Sequence, residues 1–97
     1  PDPVQRAIQL PTFALRGMPT AMDFSADGSV AAVLAYSNLM LFPRGAGEFW
    51  ASALARRPVF LAPPQLPQAE AVCFSPDGRQ LYVTSEKSAR LLRYDRR

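Results

Sequence analysis

Histidine is missing from all 97 residues of this chain, and the absence removes more chemistry than any residue present supplies. A Ser-His-Asp or Cys-His nucleophile and a histidine-ligated metal are excluded within it. Cysteine occurs once, at Cys73, so no internal disulfide can form. That thiol sits in an apolar stretch with no imidazole to activate it, which predicts a buried structural thiol rather than a nucleophile. The five glycines serve turns and are too few for a phosphate-cradling loop, and neither GxGxxG nor a GKS/GKT phrase occurs. No apolar run approaches the roughly 20 residues that a membrane-spanning helix needs. The chain opens on Pro1-Asp2-Pro3 rather than on methionine, which reads as a processed product or a piece of a longer chain. A cleaved signal peptide would leave no trace.

What remains is ordinary globular material. Hydrophobic residues make up 48% of the sequence, which argues against disorder. The formal net charge is +3, and Lys87, Arg90, Arg93, Arg96 and Arg97 crowd the last eleven positions against Asp95. Such a cluster suits nucleic acid or an anionic surface. Only Tyr94 is interleaved there, which makes a poor stacking platform, so nucleic-acid binding is not the expectation.

Two phrases organise the chain. Phe24-Ser25-Ala26-Asp27-Gly28 returns fifty positions later as Phe74-Ser75-Pro76-Asp77-Gly78. Pro76 pre-sets φ for the second position of a type I turn, Asp77 suits the third, and Gly28 and Gly78 supply the left-handed residue of a G1-bulge hairpin. Short apolar strands precede the phrases, at 20–25 and 70–75. Strands rich in Val, Leu, Ala, Tyr and Thr follow at 29–36 and 80–85, and third strands at 38–42 and 89–94. Two unrelated hairpins sharing a common turn are the bland alternative, but matched strands on both sides favour an internal repeat. The expected fold is all-β: two β-propeller blades of four-stranded antiparallel sheet with one short helical insert. Most of the 10 prolines punctuate the boundaries, where they remove no ladder hydrogen bond.

Residues 4–10 read as an outer strand closed by Pro11, and Val59-Phe60-Leu61 as the fourth strand of the first blade. The expected layout across 1–97 is thus an outer strand (4–10), one blade (about 20–61) and a second (about 70–94) that lacks its fourth strand. Between the third and fourth strands, residues 47–57 carry the helical signal. Glu48 is placed in the first turn and Arg56-Arg57 in the last, as the macrodipole prefers, with Phe49 or Trp50 and Leu54 as a narrow apolar stripe. Trp50 is expected to anchor that helix rather than serve as a ligand platform.

The phrases FSADG and FSPDG, with Leu81-Tyr82-Val83-Thr84-Ser85 after the second, resemble bacterial YVTN-type and WD-like propeller repeats. Ser85 stands where the first type has asparagine, and no Trp-Asp pair closes either blade. Over nearly the whole chain, the ordered series TAMDFSADG, AAVLAYSNLMLFPR, GEFWASALARRP, PQAEAVCFSPDGRQLYVTSE and LLRYD is similar to the C-terminal part of uncharacterised, often exported bacterial propeller proteins. The resemblance implies the fold and a periplasmic or extracellular location; it implies no established activity.

The candidates for chemistry are carboxylates. Glu70 starts one inner strand, Asp23 lies in the other and Glu86 follows Ser85. Inner-strand starts of a propeller line its channel, where acids from several blades can converge on Ca²⁺. Against this, the fifty-residue spacing sets Thr20 opposite Glu70 and Cys73 opposite Asp23, so channel-rim hydrogen bonding is the expectation and no catalytic residue or cofactor is assigned. Three functions follow: a non-enzymatic scaffold for binding or protein interaction, a fragment or protomer of a larger propeller; a calcium-dependent hydrolase of phytase-like or lactonase-like type; and a lectin-like ring of two-blade chains. The expected partners are other blades, from the same longer chain or from identical chains. In the second case the strand at 4–10 of one copy completes the last blade of its neighbour, most simply in a ring of three chains.

Overall fold

The computed structural model describes residues 7, 19–35, 38–66 and 68–96. Seven strands and a single helix are assigned there: β1 (Pro19–Phe24), β2 (Val30–Ala35), β3 (Leu39–Pro43), α1 (Trp50–Ala55), β4 (Val59–Leu61), β5 (Ala69–Phe74), β6 (Gln80–Ser85) and β7 (Ser88–Asp95). They form two antiparallel sheets, β1-β2-β3-β4 and β5-β6-β7, called A and B below. The chain is mostly β, as expected, and its strands lie within about a residue or two of the expected bounds, a normal uncertainty for element ends. The outer strand expected at 4–10 lies outside the described residues except for Ala7, which is exposed and in no strand.

The two turn phrases build the same hairpin. Gly28 N–H donates to Ser25 O at 2.9 Å, and Gly78 N–H to Ser75 O at 2.9 Å. Both glycines are left-handed, with φ of +72° and +73°. Four residues separate the closing pair, since Ser25 N–H reaches Val30 O and Ser75 N–H reaches Gln80 O. This loop is wider than a minimal G1-bulge hairpin. The preceding serine holds its interior: Ser25 Oγ accepts from Val30 N–H at 3.1 Å, and Ser75 Oγ accepts from Gln80 N–H at 3.0 Å. Each serine hydroxyl in turn donates to the aspartate two residues on, Asp27 or Asp77. Those aspartates also accept the N–H of Ser29 and Arg79, both at 3.0 Å. The strand registers match as well, with Asp23 opposite Ala32 and Cys73 opposite Tyr82, and a shift after Pro19 mirrored by one after Ala69.

Alternation along the strands decides which side chains meet. Ala21, Ala32, Leu34, Leu39 and Leu41 of sheet A pack against Val72, Phe74, Leu81, Val83 and Leu92 of sheet B. The other face of sheet A carries Ala31, Val33, Met40 and Phe42, which pack with Leu54 and Trp50 of α1. Strand β2 is therefore buried on both faces, which its unbroken VAAVLA sequence suits.

Helix α1 is shorter than the 47–57 signal, and its charges act differently. It has no acidic residue in its first turn and no basic one in its last. Glu48 precedes it, in a turn where Glu48 N–H donates to Gly45 O and Glu48 Oε1 accepts from Gly45 N–H. Arg56 Nη2 bonds Glu48 Oε1 at 2.8 Å and Pro43 O at 2.8 Å, with a second guanidinium contact to Glu48 Oε2. A bidentate ion pair closing the insert replaces the expected macrodipole pairing. Phe49 is 81% exposed, so the apolar stripe is Trp50 with Leu54.

The Arg56 guanidinium and the Gly45 N–H hold the Glu48 carboxyl down to about 2, from an ordinary 4.5. The Ser29 and Ser25 hydroxyls and the Ser29 N–H do the same for Asp27, also to about 2. A carboxyl whose folded pKa is depressed contributes stability fully above its unfolded pKa and loses it as pH falls through the folded one. The melting temperature is therefore expected to stay level from neutrality to about pH 5 and to fall steadily below that. Glu48→Gln should make the fall shallower, as followed by circular dichroism.

Candidate interaction surface

The contact between the sheets is not symmetric. By register, the Ala21–Asp23 face of sheet A corresponds to the Ala71–Cys73 face of sheet B, and the Met22–Phe24 face to the Val72–Phe74 face. Sheet A presents the first kind of face and sheet B the second. The stacking is head to tail: the outer face of sheet B is of the kind sheet A uses in the seam. The matching face of sheet A is covered by α1 over Ala31, Val33, Met40 and Phe42 and open only at its margins.

Polar contacts fix the seam at its inner strands. Thr20 Oγ1 donates to Ala69 O at 2.9 Å. Ser75 N–H points at Gln80 O within sheet B, so the preceding N–H, that of Phe74, points away from β6. Asp23 Oδ2 accepts that N–H at 2.8 Å. Tyr94 makes a further tie at the outer side, its hydroxyl donating to Ala62 O at 2.7 Å; partial burial raises its pKa and keeps it a donor.

The available face of sheet B carries Ala71, Cys73, Thr84, Leu91 and Arg93, all exposed, around half-buried Tyr82. Cys73 is thus exposed rather than the buried thiol expected. Its strand is apolar, but its side chain lies on the face turned away from sheet A. The α1-covered face of sheet A is open only at its margins, with Met22 at 42%, Phe24 at 46% and Phe60 at 44% exposure. Phe24 meets the Trp50 ring edge-on at 4.8 Å, and Arg44 lies over that ring at 5.1 Å while Arg44 Nε donates to Gly28 O. Trp50 therefore packs as an anchor against the end of sheet A.

Sheet B also has an open side among the described residues. Arg96 N–H points inward to Arg79 O, so by alternation the backbone groups of Asp95, Arg93 and Leu91 point outward. In sheet A the matching positions on β3, Leu39 and Leu41, are paired by β4.

The three carboxylates singled out in the sequence do not gather. Asp23 is engaged by Phe74 N–H, Glu70 is half-buried near the start of β5, and Glu86 is exposed in the β6–β7 turn. Among the described residues, no group of three or more His, Cys, Asp or Glu side chains could hold a metal ion. In the basic C-terminal cluster, Arg93 pairs with Asp95 at 2.9 Å and Arg90 donates to Gln65 O. No helix among the described residues is long and apolar enough to cross a membrane. Sequence reasoning missed Thr20, Ser25, Ser75 and Arg44; the serine was legible in the shared Phe-Ser of both phrases, whereas the other two act across distances no local pattern encodes. Comparison with protein-family models, with curated proteins and with solved structures finds no match for this chain.

Proposed function

We propose that this chain is a two-blade segment of a β-propeller that works as a non-enzymatic scaffold for protein interaction. Its immediate partners are further blades, from the same longer chain or from identical chains. The observation that carries this reading is the head-to-tail stacking of sheets A and B, which leaves the outer face of sheet B exposed and of the kind that sheet A uses in the seam. Meander strand order within each sheet and the shared register fifty positions apart support it. A further blade would cover Ala71, Cys73 and Leu91 as sheet B covers Ala21, Asp23 and Leu39. A strand added outside β7 would give sheet B the fourth member that β4 gives sheet A. Covering such edges and faces removes the association liability of an open sheet.

Cys73 reports on this directly. In dilute solution its thiol is expected to react with iodoacetamide as fast as an exposed cysteine. As protein concentration rises, the second-order rate constant should fall as the outer face of sheet B becomes covered. A constant rate over the same range counts against the proposal.

A further inference from the structure

A cleft of about 860 Å³ opens between the two sheets at their turn ends, next to Phe60 and to the Arg93–Asp95 end of β7. Its walls come from both sheets: Leu61 on β4, and Phe74, Leu81 and Tyr94 on sheet B. The Tyr94–Ala62 hydrogen bond joins the two banks. The charge on the lining is one-sided. By register the Arg93 and Asp95 side chains lie on the outer face of sheet B, so the charges left to the cleft are those of Arg79 and Arg96, both positive. Asp95 is spent on Arg93 at 2.9 Å. Arg79 is felt by Asp77, a carboxylate already engaged by Ser75 Oγ and Arg79 N–H. Arg96 lies at the end of β7, its N–H fixed on Arg79 O at 2.8 Å, which holds the two arginines' backbones side by side.

We infer that this cleft binds a carboxylate with an aromatic body, the ring lying between Leu61 and the Phe74–Leu81–Tyr94 wall and the carboxylate meeting Arg79 and Arg96. An apolar slot with a few convergent polar groups is the usual form of a small-ligand site. A guanidinium fork matches a carboxylate with two parallel N–H···O bonds. The shape alone would take a neutral ring as readily, so the charge makes the discrimination. The cleft is lined by residues of one chain. Two sources can supply this chemistry, a free aromatic acid or the C-terminus of a peptide ending in an aromatic residue.

The test uses amide-resolved NMR on the full chain. Naphthylacetate is titrated against its neutral counterpart naphthylacetamide, and a tripeptide with a free C-terminal phenylalanine against the same peptide amidated. Saturable shifts are expected at Leu61, Arg79, Leu81 and Tyr94, with each acid binding about tenfold tighter than its amide. The relative affinity of the two acids identifies the source. Arg79→Gln with Arg96→Gln, both at exposed positions, should keep the spectrum dispersed and weaken the acid about tenfold. Equal binding of acid and amide, shifts centred elsewhere, no saturation, or an unchanged affinity in the double variant would each overturn the inference.

Discussion

Leu34→Ala is expected to destabilise the chain by about 2–5 kcal/mol, the largest effect of any single substitution considered. Leu34 is fully buried near the end of β2, and its side chain lies in the seam with Leu39, Leu81 and Val83. Truncation removes the transfer free energy of its methyl groups and leaves a cavity between two sheets. Those sheets are held in register by the Thr20 and Asp23 bonds and cannot simply close the gap. Stability at this chain length is about 5–15 kcal/mol, so the loss is a large share of the total. Urea denaturation should show a lower midpoint with an unchanged slope. A shift no larger than that of Ala31→Gly would mean that the sheets do not share this core.

Gly78→Val is the second large effect, expected to cost about 1–3 kcal/mol. The cause is backbone strain alone, because a Cβ at Gly78 meets nothing within 4 Å. Valine at a φ of +73° must either occupy the left-handed region or deform the turn. Deforming it would pull Ser75 and Asp77 off the N–H groups of Gln80 and Arg79. Gly28→Val carries the same strain and a close approach of 3.1 Å to Arg44 Nη2 as well. Ser29→Val is a control, exposed and free of the positive-φ demand, but it loses the Ser29 Oγ–Asp27 bond. Arg79→Val, which keeps the backbone N–H bond to Asp77, is the cleaner one. Equal melting temperatures for Gly78→Val and Arg79→Val would contradict the turn geometry described.

Much of this architecture was legible in the sequence because it is local. The turn phrases carry their own geometry: a left-handed glycine, an aspartate that can accept the N–H two residues on, and strands of alternating or wholly apolar residues either side. Where the sequence misled, a longer-range relation decided. Cys73 lies in a strand that is apolar but for Glu70, and alternation says only that its side chain and that of Val72 oppose each other. Which of the two meets sheet A depends on the stacking. Helix propensity in residues 47–57 is real, but Glu48 gains more from Arg56 and the Gly45 N–H than from the dipole of so short a helix, so the helix starts later. Asp23 stands among the candidate carboxylates with hydrogen bonding expected over metal binding; that its partner is the Phe74 N–H across the seam is a relation the local sequence does not carry. The outer strand expected at 4–10 lies outside the described residues except for Ala7.

The central claim is that the stacking which joins sheets A and B is one step of a series that the exposed face of sheet B can continue. Sedimentation velocity of the chain, from low to high micromolar concentration, tests it most directly when paired with Ala71→Arg. Ala71 is exposed in the single chain and stands where Ala21 stands in sheet A, so arginine there burdens only the proposed contact. The account predicts that the wild-type chain associates as concentration rises, into a closed species of defined size, and that Ala71→Arg stays monomeric with an unchanged melting temperature. A wild-type chain that remains a stable monomer throughout, or an Ala71→Arg variant that associates as well as wild type, would contradict it.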